Sequence, residues 1–450
     1  MAPIKVIMIA YNQKAFVEMG TELLKLYAGV SEKDIIIVDN GSDDGLSEWL
    51  KTLQYDYIVF DKDESGYAEI LNTVIHEFHI DTDLLILNPS YFVLPYALEE
   101  MHRVLYEEKM TGAVSPAMIP LGSEIAKDYE AAVDCVAKLQ KSSAPPSRNI
   151  GQIGLEADAV LMKAEMLKEV GEFDEKLTQP HNVMTDYSFR ADLKGYKFLE
   201  CGNAYFYTYE IHKTLTQAEN SADRLILKEK WNMNYFNNQV NWALISYIQK
   251  KEFEEFSVLE VGCDCGANLY AGVKNKYPNA KIYGMEIDKS AAAIAACFFP
   301  VQVGNIEEKN LNFGNEKFDY IIFGDVLEHL HDPAGTIRYC KELLKKDGHI
   351  LASIPNLMHY SVLKDLINGN FTYTDTGLLD RTHIHFFTYN EIVKLFESEG
   401  YLIEKIESLV ASSSASQQAK WVEKLMSISD EAEEFMFRAF QYLAIVKLDC

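Results

Sequence analysis

The sequence lacks an apolar run long enough to cross a bilayer, and it has few basic residues for its length. Its 42 lysine and arginine residues stand against 68 aspartate and glutamate residues, which gives a formal net charge of −26. This balance argues against a nucleic-acid backbone or an anionic membrane surface as partner. The first residues have the pattern of a strand rather than of a signal peptide, so we expect a cytoplasmic protein without a membrane span.

Cysteine is also scarce, with seven residues scattered along the chain. Cys263 and Cys265 form the only close pair, and no second pair completes a zinc site. We therefore predict reduced, structural thiols. The chain has 450 residues, of which 48% are hydrophobic and 12% aromatic. A chain of this length exceeds one ordinary core and predicts two or three domains.

The first half alternates short β-branched runs with helical segments, which predicts an α/β domain with a parallel sheet. The predicted strands cover residues 4–10, 34–39, 57–61 and 84–87, and the predicted helices cover residues 16–27 and 67–78. Between residues 111 and 149 the pattern predicts mainly loop. A polar stretch at residues 215–223 predicts the boundary between domains of residues 1–220 and 221–450. An amphipathic helix over residues 224–251 is expected to form a linker or cap within residues 221–256.

Six segments of the first half share the pattern of one enzyme family. They are Ala10-Tyr11-Asn12, Val38-Asp39-Asn40-Gly41-Ser42-Asp43, Ser65-Gly66-Tyr67 with Asn72, Leu87-Asn88-Pro89, Val170-Gly171-Glu172-Phe173-Asp174-Glu175, and Asp186 with Arg190. In order and spacing they resemble the inverting family 2 glycosyltransferases of the GT-A fold. The resemblance implies a Rossmann-like domain that binds a nucleotide sugar.

The resemblance also implies roles for particular residues. Asp39 would contact the nucleoside, and the loop after Leu87 would hold the diphosphate through a divalent metal, Mg²⁺ or Mn²⁺. The implied nucleotide-sugar-binding residues are Tyr11, Asp39, Asn72, Asn88, Ser90 and His212. The metal would lie in the region of Asn88, Ser90 and His212, although a histidine at a strand end can equally be structural. Asp186 does not stand at the family's own acidic positions, but it is the nearby carboxylate that would serve as general base and take the proton of the acceptor hydroxyl after a small loop shift.

The chain departs from the family pattern at two sites, which comprise three residues. Ser90 stands where relatives place a metal-binding aspartate, and a neutral oxygen binds a hard cation poorly. Val183 and Met184 occupy the positions of the acidic pair that supplies the general base. The alternative is therefore a domain that binds glycan without transferring sugar.

The second half contains a glycine turn between two apolar strands. Ser257–Val261 is followed by Gly262-Cys-Asp-Cys-Gly266 and a helical segment, and a second strand ends at Glu286, 20 residues beyond Gly266. Backbone N–H groups and a helix dipole at such a turn can face a ligand, and a strand-end acid at this spacing accepts hydrogen bonds from ribose hydroxyls. The pattern predicts a site for a ribose-bearing cofactor.

The segments around this turn are Val258-Leu-Glu-Val-Gly-Cys, Gly284-Met-Glu286, Gly304-Asn-Ile306, Asp325-Val-Leu-Glu-His-Leu and Ser353-Ile-Pro-Asn356. They resemble the class I S-adenosylmethionine-dependent methyltransferases, from about Tyr235 to the end of the chain. The resemblance implies S-adenosylmethionine as cofactor. It implies that Glu260, Gly262 and Gly266 surround its methionine part, that Glu286 binds its ribose, and that Asn305 and Ile306 contact its adenine. Asp325 completes the implied cofactor-binding set, and Asp264 replaces the usual middle glycine of the turn.

Methyl transfer to a hydroxyl needs a nearby base. The candidates are His329, His331, His359 and the run from Leu378 to Thr388, in which Asp380 and His383 are favoured, with His329 second. That run resembles a segment of methyltransferases associated with glycosyltransferases of bacterial surface glycans. A plain dehydrogenase is the rival interpretation, but the glycine turn is shorter than Gly-x-Gly-x-x-Gly.

Together the halves predict a bifunctional glycosyltransferase and O-methyltransferase acting on a bacterial surface glycan, for example on flagellin. Its partners would be a nucleotide sugar and a glycan or glycoprotein acceptor. A glycan methyltransferase with an inactive first domain is the alternative, and a purely structural scaffold is the third interpretation.

Overall fold

The computed structural model describes residues 3–60, 66–120, 128–141, 148–155, 157–209, 221–232, 239–410 and 415–448. The chain divides into two compact units, Met1–Tyr235 and Phe236–Cys450. Within the described ranges, no helix has the length and apolar character that crossing a bilayer requires.

The first unit is built on a nine-stranded sheet. Its strands are β1 (Ile4–Ala10), β2 (Ile35–Asn40), β3 (Asp56–Phe60), β4 (Asp83–Leu87), β5 (Tyr91–Val93), β6 (Thr111–Pro120), β7 (Ile150–Gln152), β8 (Ala159–Met162) and β9 (Lys197–Thr208). Its helices are α1 (Lys14–Ala28), α2 (Leu46–Leu50), α3 (Tyr67–Glu77), α4 (Ala97–Leu105), α5 (Tyr129–Lys141), α6 (Ala164–Val170), α7 (Pro180–Asp192) and α8 (Ser221–Trp231).

The strand order is β3-β2-β1-β4-β8-β6-β9-β5, and β7 pairs with β9. Strands β1 to β4 are parallel, whereas β8 is antiparallel to β4. Both faces of the sheet are covered, because Val6 and Met8 enter one apolar cluster while Ile7 enters another. The early strands and helices agree with the sequence prediction to within two residues at their ends.

Two parts of the first unit differ from the sequence prediction. Residues 111–149 contain β6 and α5 rather than mainly loop. Gly112, Ser115 and Pro116 interrupt the apolar pattern of β6, yet this strand pairs with both β8 and β9. Helix α8 also belongs to the first unit, so the division falls later than residues 215–223. Contacts of Asp223 and Lys230 with residues of α7 explain this, as described below.

The second unit is built on a seven-stranded sheet of order β12-β11-β10-β13-β14-β16-β15. Its strands are β10 (Ser257–Val261), β11 (Lys281–Glu286), β12 (Val301–Val303), β13 (Phe318–Gly324), β14 (Leu344–Pro355), β15 (Tyr401–Leu409) and β16 (Gln441–Leu448). Its helices are α9 (Trp242–Ile245), α10 (Lys289–Ala295), α11 (Pro333–Leu343), α12 (Tyr360–Ile367), α13 (Tyr389–Ser398), α14 (Ala415–Ser427) and α15 (Glu434–Arg438). The first five strands of the order are parallel, whereas β16 is antiparallel to both β14 and β15.

The long amphipathic helix predicted over residues 224–251 is two short helices, α8 and α9. Helix α8 is followed by Asn232, whose φ of 50° is left-handed and ends a helix. Helix α9 begins at a new cap, where the Asn241 side chain accepts a hydrogen bond from Leu244 N. The apolar periodicity spans both helices, but the asparagines decide where each begins and ends.

Candidate active sites

The first sheet has a topological switch point beside β1. Strands β2 and β4 flank β1 on opposite sides, and all three are parallel. Ligands of open α/β sheets bind at such a point, outside the carboxyl ends of the strands. A cavity of about 510 Å³ lies there, and Asn40, Tyr67, Asn88 and Asp158 are among its polar lining residues. Its size is ordinary for a small-molecule site.

Asn88 and Asp158 meet at one edge of this cavity. Asn88 N donates to the Asp158 backbone oxygen at 2.6 Å, and Asn88 Nδ2 lies 3.3 Å from Asp158 Oδ1. Ser90 is fully buried, and its backbone N and its hydroxyl both donate to Asn88 Oδ1, at 3.0 and 2.9 Å. Ser90 therefore orients Asn88. Asp158 was not predicted, since it lies in none of the family motifs recognised in the sequence.

Asp39 lies at the end of β2, and both of its carboxylate oxygens accept hydrogen bonds from residues that follow this strand. The side chain is fully buried, Oδ1 accepts from Ser42 N at 2.8 Å, and Oδ2 accepts from the Ser47 hydroxyl. The next residue, Asn40, lines the cavity, and its Oδ1 has no hydrogen-bond partner among the described residues. An unpaired buried acceptor needs a ligand or water. Asn40 is thus the β2 side chain best placed to bind one.

The other predicted nucleotide-sugar residues have different positions. Asn72 is buried and joins α3 to residues 173–175, because its Oδ1 accepts from Phe173 N and its Nδ2 donates to the Phe173 backbone oxygen and to Glu175 Oε1. Tyr11 is 54% exposed. His212 lies outside the described residues. The structure thus brings Asn88 to the cavity with Ser90 behind it.

Asp186, the predicted general base, is enclosed by cations. It is fully buried, Oδ2 accepts from Arg190 Nε at 3.0 Å, and Oδ1 lies 2.7 Å from Lys230 Nζ and 3.0 Å from Trp231 Nε1. Asp223 likewise accepts hydrogen bonds from residues at the start of α7. These contacts fasten α8 to α7. A carboxylate with three donors around it is a structural anchor in this conformation.

The second sheet has its switch point between β10 and β13, both of which pair in parallel with their neighbours. The glycine turn after β10 contains three left-handed residues, Gly262, Asp264 and Gly266, with φ of 70°, 48° and 93°. A Cβ added at Gly262 would lie 2.6 Å from Val326 Cγ2, and one at Gly266 would lie 2.7 Å from the Phe299 ring. The turn therefore requires glycine at both ends. Asp264 adopts the left-handed conformation that its position requires.

Glu286 connects the end of β11 to this turn. Its Oε2 accepts from Asp264 N at 2.8 Å, and its Oε1 accepts from Asp288 N at 2.8 Å. Burial raises the pKa of Glu286, and the hydrogen bonds from the backbone oppose this shift. The carboxylate is thus fixed beside the glycine turn by two backbone donors.

Glu260 lies on the same side of the sheet and is 1% exposed. Asn268 Nδ2 donates to its Oε1 at 2.7 Å, whereas Oε2 has no hydrogen-bond partner among the described residues. Burial raises the pKa of Glu260 to about 8, with smaller contributions from the charges of Asp264 and Glu286. Asn268 begins a π-helical segment, Asn268–Lys274, a distortion that is frequent at functional sites.

Asn305 and Ile306 follow β12. Asn305 Oδ1 caps a short 3₁₀ turn by accepting from Glu307 N at 3.0 Å, and Ile306 is buried. Asn305 Oδ1, which is predicted to contact adenine, therefore already accepts one hydrogen bond from the backbone. Its second lone pair remains to accept a hydrogen bond from the adenine amine.

The predicted acid–base residues converge near the end of β13. Asp380 Oδ1 accepts from the Thr382 hydroxyl at 2.6 Å, and the Thr382 backbone oxygen lies 3.1 Å from His329 Nδ1. The rings of His329 and His383 are 4.9 Å apart. Burial raises the pKa of Asp380, but the hydrogen bonds from Thr382 and the charges of His383 and His329 outweigh burial and hold it below its ordinary value.

Asp325 lies at the start of this region. Its backbone N donates to Ser353 Oγ at 3.0 Å, and its Oδ1 accepts from Gln441 Nε2. The surrounding strand ends desolvate the carboxyl and raise its pKa, although part of its surface is exposed. His331 and His359 do not join the group of His329 and His383. His359 instead caps α12 by accepting from Ser361 N.

These two strand-end sites are typical of α/β enzymes that bind nucleotides or nucleotide-like cofactors. Family models place the domains more narrowly. The glycosyl transferase family 2 model matches residues 5–116, and a methyltransferase domain model matches residues 233–406. The chain therefore contains a family 2 glycosyltransferase domain followed by a methyltransferase domain, as the sequence predicted.

Curated methyltransferases are similar to part of this chain. The ubiquinone biosynthesis O-methyltransferase of Haemophilus ducreyi is 34% identical over 126 residues, which are 26% of this chain and 53% of that protein. The mitochondrial ubiquinone biosynthesis O-methyltransferase of Dictyostelium discoideum is 22% identical over 172 residues, 35% of this chain and 53% of that protein. The chain thus spans about half the length of these relatives.

Solved structures of two S-adenosylmethionine-dependent methyltransferases are also similar. The one from Archaeoglobus fulgidus is 17% identical, with a TM-score of 0.34, and the match covers 50% of this chain and 99% of that chain. The one from Aquifex aeolicus is 13% identical, with a TM-score of 0.30, and the match covers 44% and 84%. The domain assignment rests on the strand order and the family models.

Proposed function

We propose that the second domain transfers a methyl group from S-adenosylmethionine to a hydroxyl of a bacterial surface glycan, such as a flagellin glycan. We further propose that the first domain transfers a sugar from a nucleotide sugar to the same glycan in the cytoplasm. The observation that supports methyl transfer best is the proximity of two constellations at neighbouring strand ends. Glu260 and Glu286 flank the glycine turn after β10, and Asp380, His329 and His383 gather near the end of β13.

The residues of the second domain fit S-adenosylmethionine. The turn has no room for a Cβ at Gly262 or Gly266, and the unpaired buried Glu260 Oε2 offers an acceptor. Glu286 would hold the ribose hydroxyls, Glu260 and the two glycines the methionine part, and Asn305 with Ile306 the adenine. When bound, the cofactor supplies an electrophilic methyl group on a sulfonium.

The protein side chains would position the acceptor and remove its proton. Thr382 links Asp380 to His329 through hydrogen bonds, so these groups have a fixed mutual orientation. Burial and the neighbouring charge of His329 lower the pKa of His383, so its imidazole is neutral near pH 7. A neutral imidazole and an ionised carboxylate are the states that accept protons.

Methyl transfer is tested with radiolabelled S-adenosylmethionine, the full chain and glycan fractions of candidate bacteria. We expect label in a glycan fraction and equimolar S-adenosylhomocysteine. Label confined to protein, lipid or quinone fractions would contradict the proposed acceptor class while leaving methyl transfer intact.

For the first domain, Asp158 is the carboxylate that the cavity offers in place of Asp186. We expect Asp158→Asn to reduce release of nucleotide from the correct nucleotide sugar by about 100-fold, since a general base contributes at least this much. Coupled detection of the free nucleotide measures the rate across a panel of donors, with and without Mn²⁺. Glu165→Gln, on the helix after β8, is the matched control and should leave the rate unchanged.

The second candidate function of the first domain is glycan binding without turnover. The engagement of Asp186 with Arg190, Lys230 and Trp231 favours it, as does the role of Ser90 in holding Asn88. A binding module should release no nucleotide from any donor, and Asp158→Asn should then alter glycan affinity alone.

Glu260 predicts a proton release on cofactor binding. With a pKa of about 8 the unliganded carboxyl is largely protonated near neutral pH, and the ammonium group of the ligand's amino-acid part would favour its ionised form. We expect release of close to one proton when S-adenosylhomocysteine binds. Calorimetry in two buffers of different ionisation enthalpy measures it, and Glu260→Gln should abolish it.

The same shift has a consequence for stability. The folded state holds the Glu260 proton more tightly than the unfolded chain, so this contribution to stability is greatest below the ordinary pKa of about 4.3. It is lost as the pH rises through about 8. The melting temperature of the unliganded Glu260→Gln variant should therefore fall less steeply than that of the parent chain as the pH rises from about 4.3 to about 8.

A further inference from the structure

Glu328 is a buried carboxylate with no partner for its charge at hydrogen-bond distance. It lies in the short 3₁₀ turn Leu327–His329 after β13 and is 1% exposed. Among the described residues, neither carboxylate oxygen has a hydrogen-bond partner. Isolated burial of an ionised carboxylate is costly unless a cation compensates it. The described residues therefore compensate the charge of Glu328 only in part, and a bound cation would complete the compensation.

Two imidazoles face this carboxylate. His383 Nε2 lies 3.9 Å from Glu328 Oε1, and its side chain is 7% exposed. Single ligand atoms from Glu328, His329 and His383 all lie within 4.8 Å of one another. Three ligands about 2.1 Å from one ion lie up to about 4 Å apart, so closure onto an ion needs movements of less than about 1 Å.

The hydrogen bonds of both histidines leave their Nε2 atoms for a ligand. His329 Nδ1 lies 3.1 Å from the Thr382 backbone oxygen, and His383 Nδ1 lies 3.3 Å from the Leu378 backbone oxygen. A carbonyl oxygen only accepts, so each Nδ1 carries the proton and each Nε2 carries a lone pair. Metal-binding histidines are typically oriented in this way, by donation from the second nitrogen to a backbone carbonyl or a carboxylate.

The supporting contacts hold the two segments in register. The Glu328 backbone oxygen accepts from Ile384 N at 2.9 Å and from His385 N at 3.0 Å. Asp380 Oδ1 accepts from Thr382 N at 2.8 Å and from the Thr382 hydroxyl at 2.6 Å. The loop that carries His383 is thus fixed to the turn that carries Glu328 and His329, so the three ligands form a built site.

We propose that Glu328, His329 and His383 bind one divalent transition-metal ion. Two imidazoles and one carboxylate suit Zn²⁺, Mn²⁺, Fe²⁺ or Co²⁺, whereas Mg²⁺ and Ca²⁺ prefer oxygen ligands alone. Three protein ligands leave positions open for oxygen ligands, and an ion lowers the pKa of a hydroxyl that it binds.

This inference rests on the proposed function for its acceptor. The hydroxyl of the glycan would occupy an open coordination position of the ion, and a vicinal diol would occupy two. The histidines then act as ligands, and the ion would lower the pKa of the hydroxyl in place of a free imidazole. The hydroxyl proton would pass to the Asp380 carboxylate, and the oxygen would bond to the methyl carbon as the bond from sulfur to that carbon breaks and S-adenosylhomocysteine leaves.

The test is a titration of the full chain, stripped with a chelator and dialysed, with Mn²⁺ or Co²⁺ alone. Free Mn²⁺ is counted by electron paramagnetic resonance, and bound Co²⁺ is identified by its visible absorption. We expect one ion per chain. His383→Gln, His329→Gln and Glu328→Gln should each weaken binding by at least about 100-fold, since substitution of supporting residues alone costs 10- to 100-fold.

His385→Gln is the matched control, because His385 belongs to the same loop but its Nε2 faces the His331 backbone oxygen at 3.3 Å. It should bind the ion as the parent chain does. The Thr382 hydroxyl lies 3.2 Å from His329 Nδ1 and donates to Asp380 Oδ1, so Thr382→Val, which removes it but keeps the backbone oxygen, should weaken binding by about 10-fold. Circular dichroism of each variant shows whether it is folded, and data from an unfolded variant are replaced by those from the other two ligand variants.

The outcomes separate this inference from the proposed function. Stoichiometric binding without methyl transfer to glycan would leave the metal site intact and contradict the function. Absence of binding, or equal affinity in the parent chain and the ligand variants, would overturn the metal site. Methyl transfer that persists in a strong chelator would likewise overturn the catalytic use of the ion.

Discussion

Asp186→Asn is expected to lower the free energy of unfolding of the first domain by about 3 kcal/mol. The carboxylate is fully buried and contacts Arg190, Lys230 and Trp231. Removal of its charge leaves the Arg190 guanidinium partly buried with a weaker acceptor and loosens α8 from α7. Urea unfolding followed by circular dichroism, together with the melting temperature, measures the loss.

Asp174→Asn is the control for this variant. Asp174 also pairs with Lys230, at 2.5 Å, but its side chain is 23% exposed, so the expected loss is less than about 1 kcal/mol. As the carboxylate nearest to the family's acidic positions, Asp186 was predicted to have a different role, that of general base. If Asp186→Asn keeps its stability and loses sugar transfer, the catalytic role is correct and the structural explanation is wrong.

Glu286→Ala is expected to weaken S-adenosylhomocysteine binding by about 1,000-fold. Two hydrogen bonds from ribose hydroxyls to a carboxylate contribute about 2 kcal/mol each, and 4 kcal/mol corresponds to roughly this factor. The substitution also removes the acceptor of Asp264 N and Asp288 N, so the glycine turn loses its anchor. Isothermal titration calorimetry measures the affinity.

Glu308→Ala provides the comparison for Glu286→Ala, because Glu308 is an exposed acid in the 3₁₀ turn after β12. The affinity of the Glu308→Ala variant for S-adenosylhomocysteine should equal that of the parent chain. Glu286→Gln separates charge from geometry, and we expect an intermediate affinity. An affinity of Glu286→Ala within a few-fold of the parent would show that the ribose is held elsewhere.

The sequence predicted the parallel halves of both sheets because their strands are continuous apolar runs separated by regular helices. Strands β10 and β11 were predicted at their observed bounds, and so was β1. The sequence failed where the pattern is interrupted but the tertiary position is central. Strand β6 contains Gly112 and Pro116, yet it lies between β8 and β9, where pairing on both sides stabilises it.

The candidate sites divide in the same way. Glu286, Gly262 and Gly266 were predicted because a strand, a tight turn and the next strand end lie close in sequence. Asp39 and Asn72 are in their predicted elements, but their side chains hold loops together. The polar groups that line the first cavity include Asp158, which lies in none of the recognised segments, and Asn40, which lies in one of them but was given no role.

The amino-acid sequence alone predicts the two-domain order, the parallel parts of both sheets and the glycine turn with its acidic partner. These features depend on local apolar periodicity, on left-handed backbone at defined positions and on short-range spacing. Long-range packing determines which carboxylates have cations beside them. Asp186 meets Lys230 from another helix, whereas Glu328 meets His383 from a distant loop. The balance between desolvation and charge pairing depends on such contacts, and it gives one carboxylate a structural role and the other a place for a metal ion.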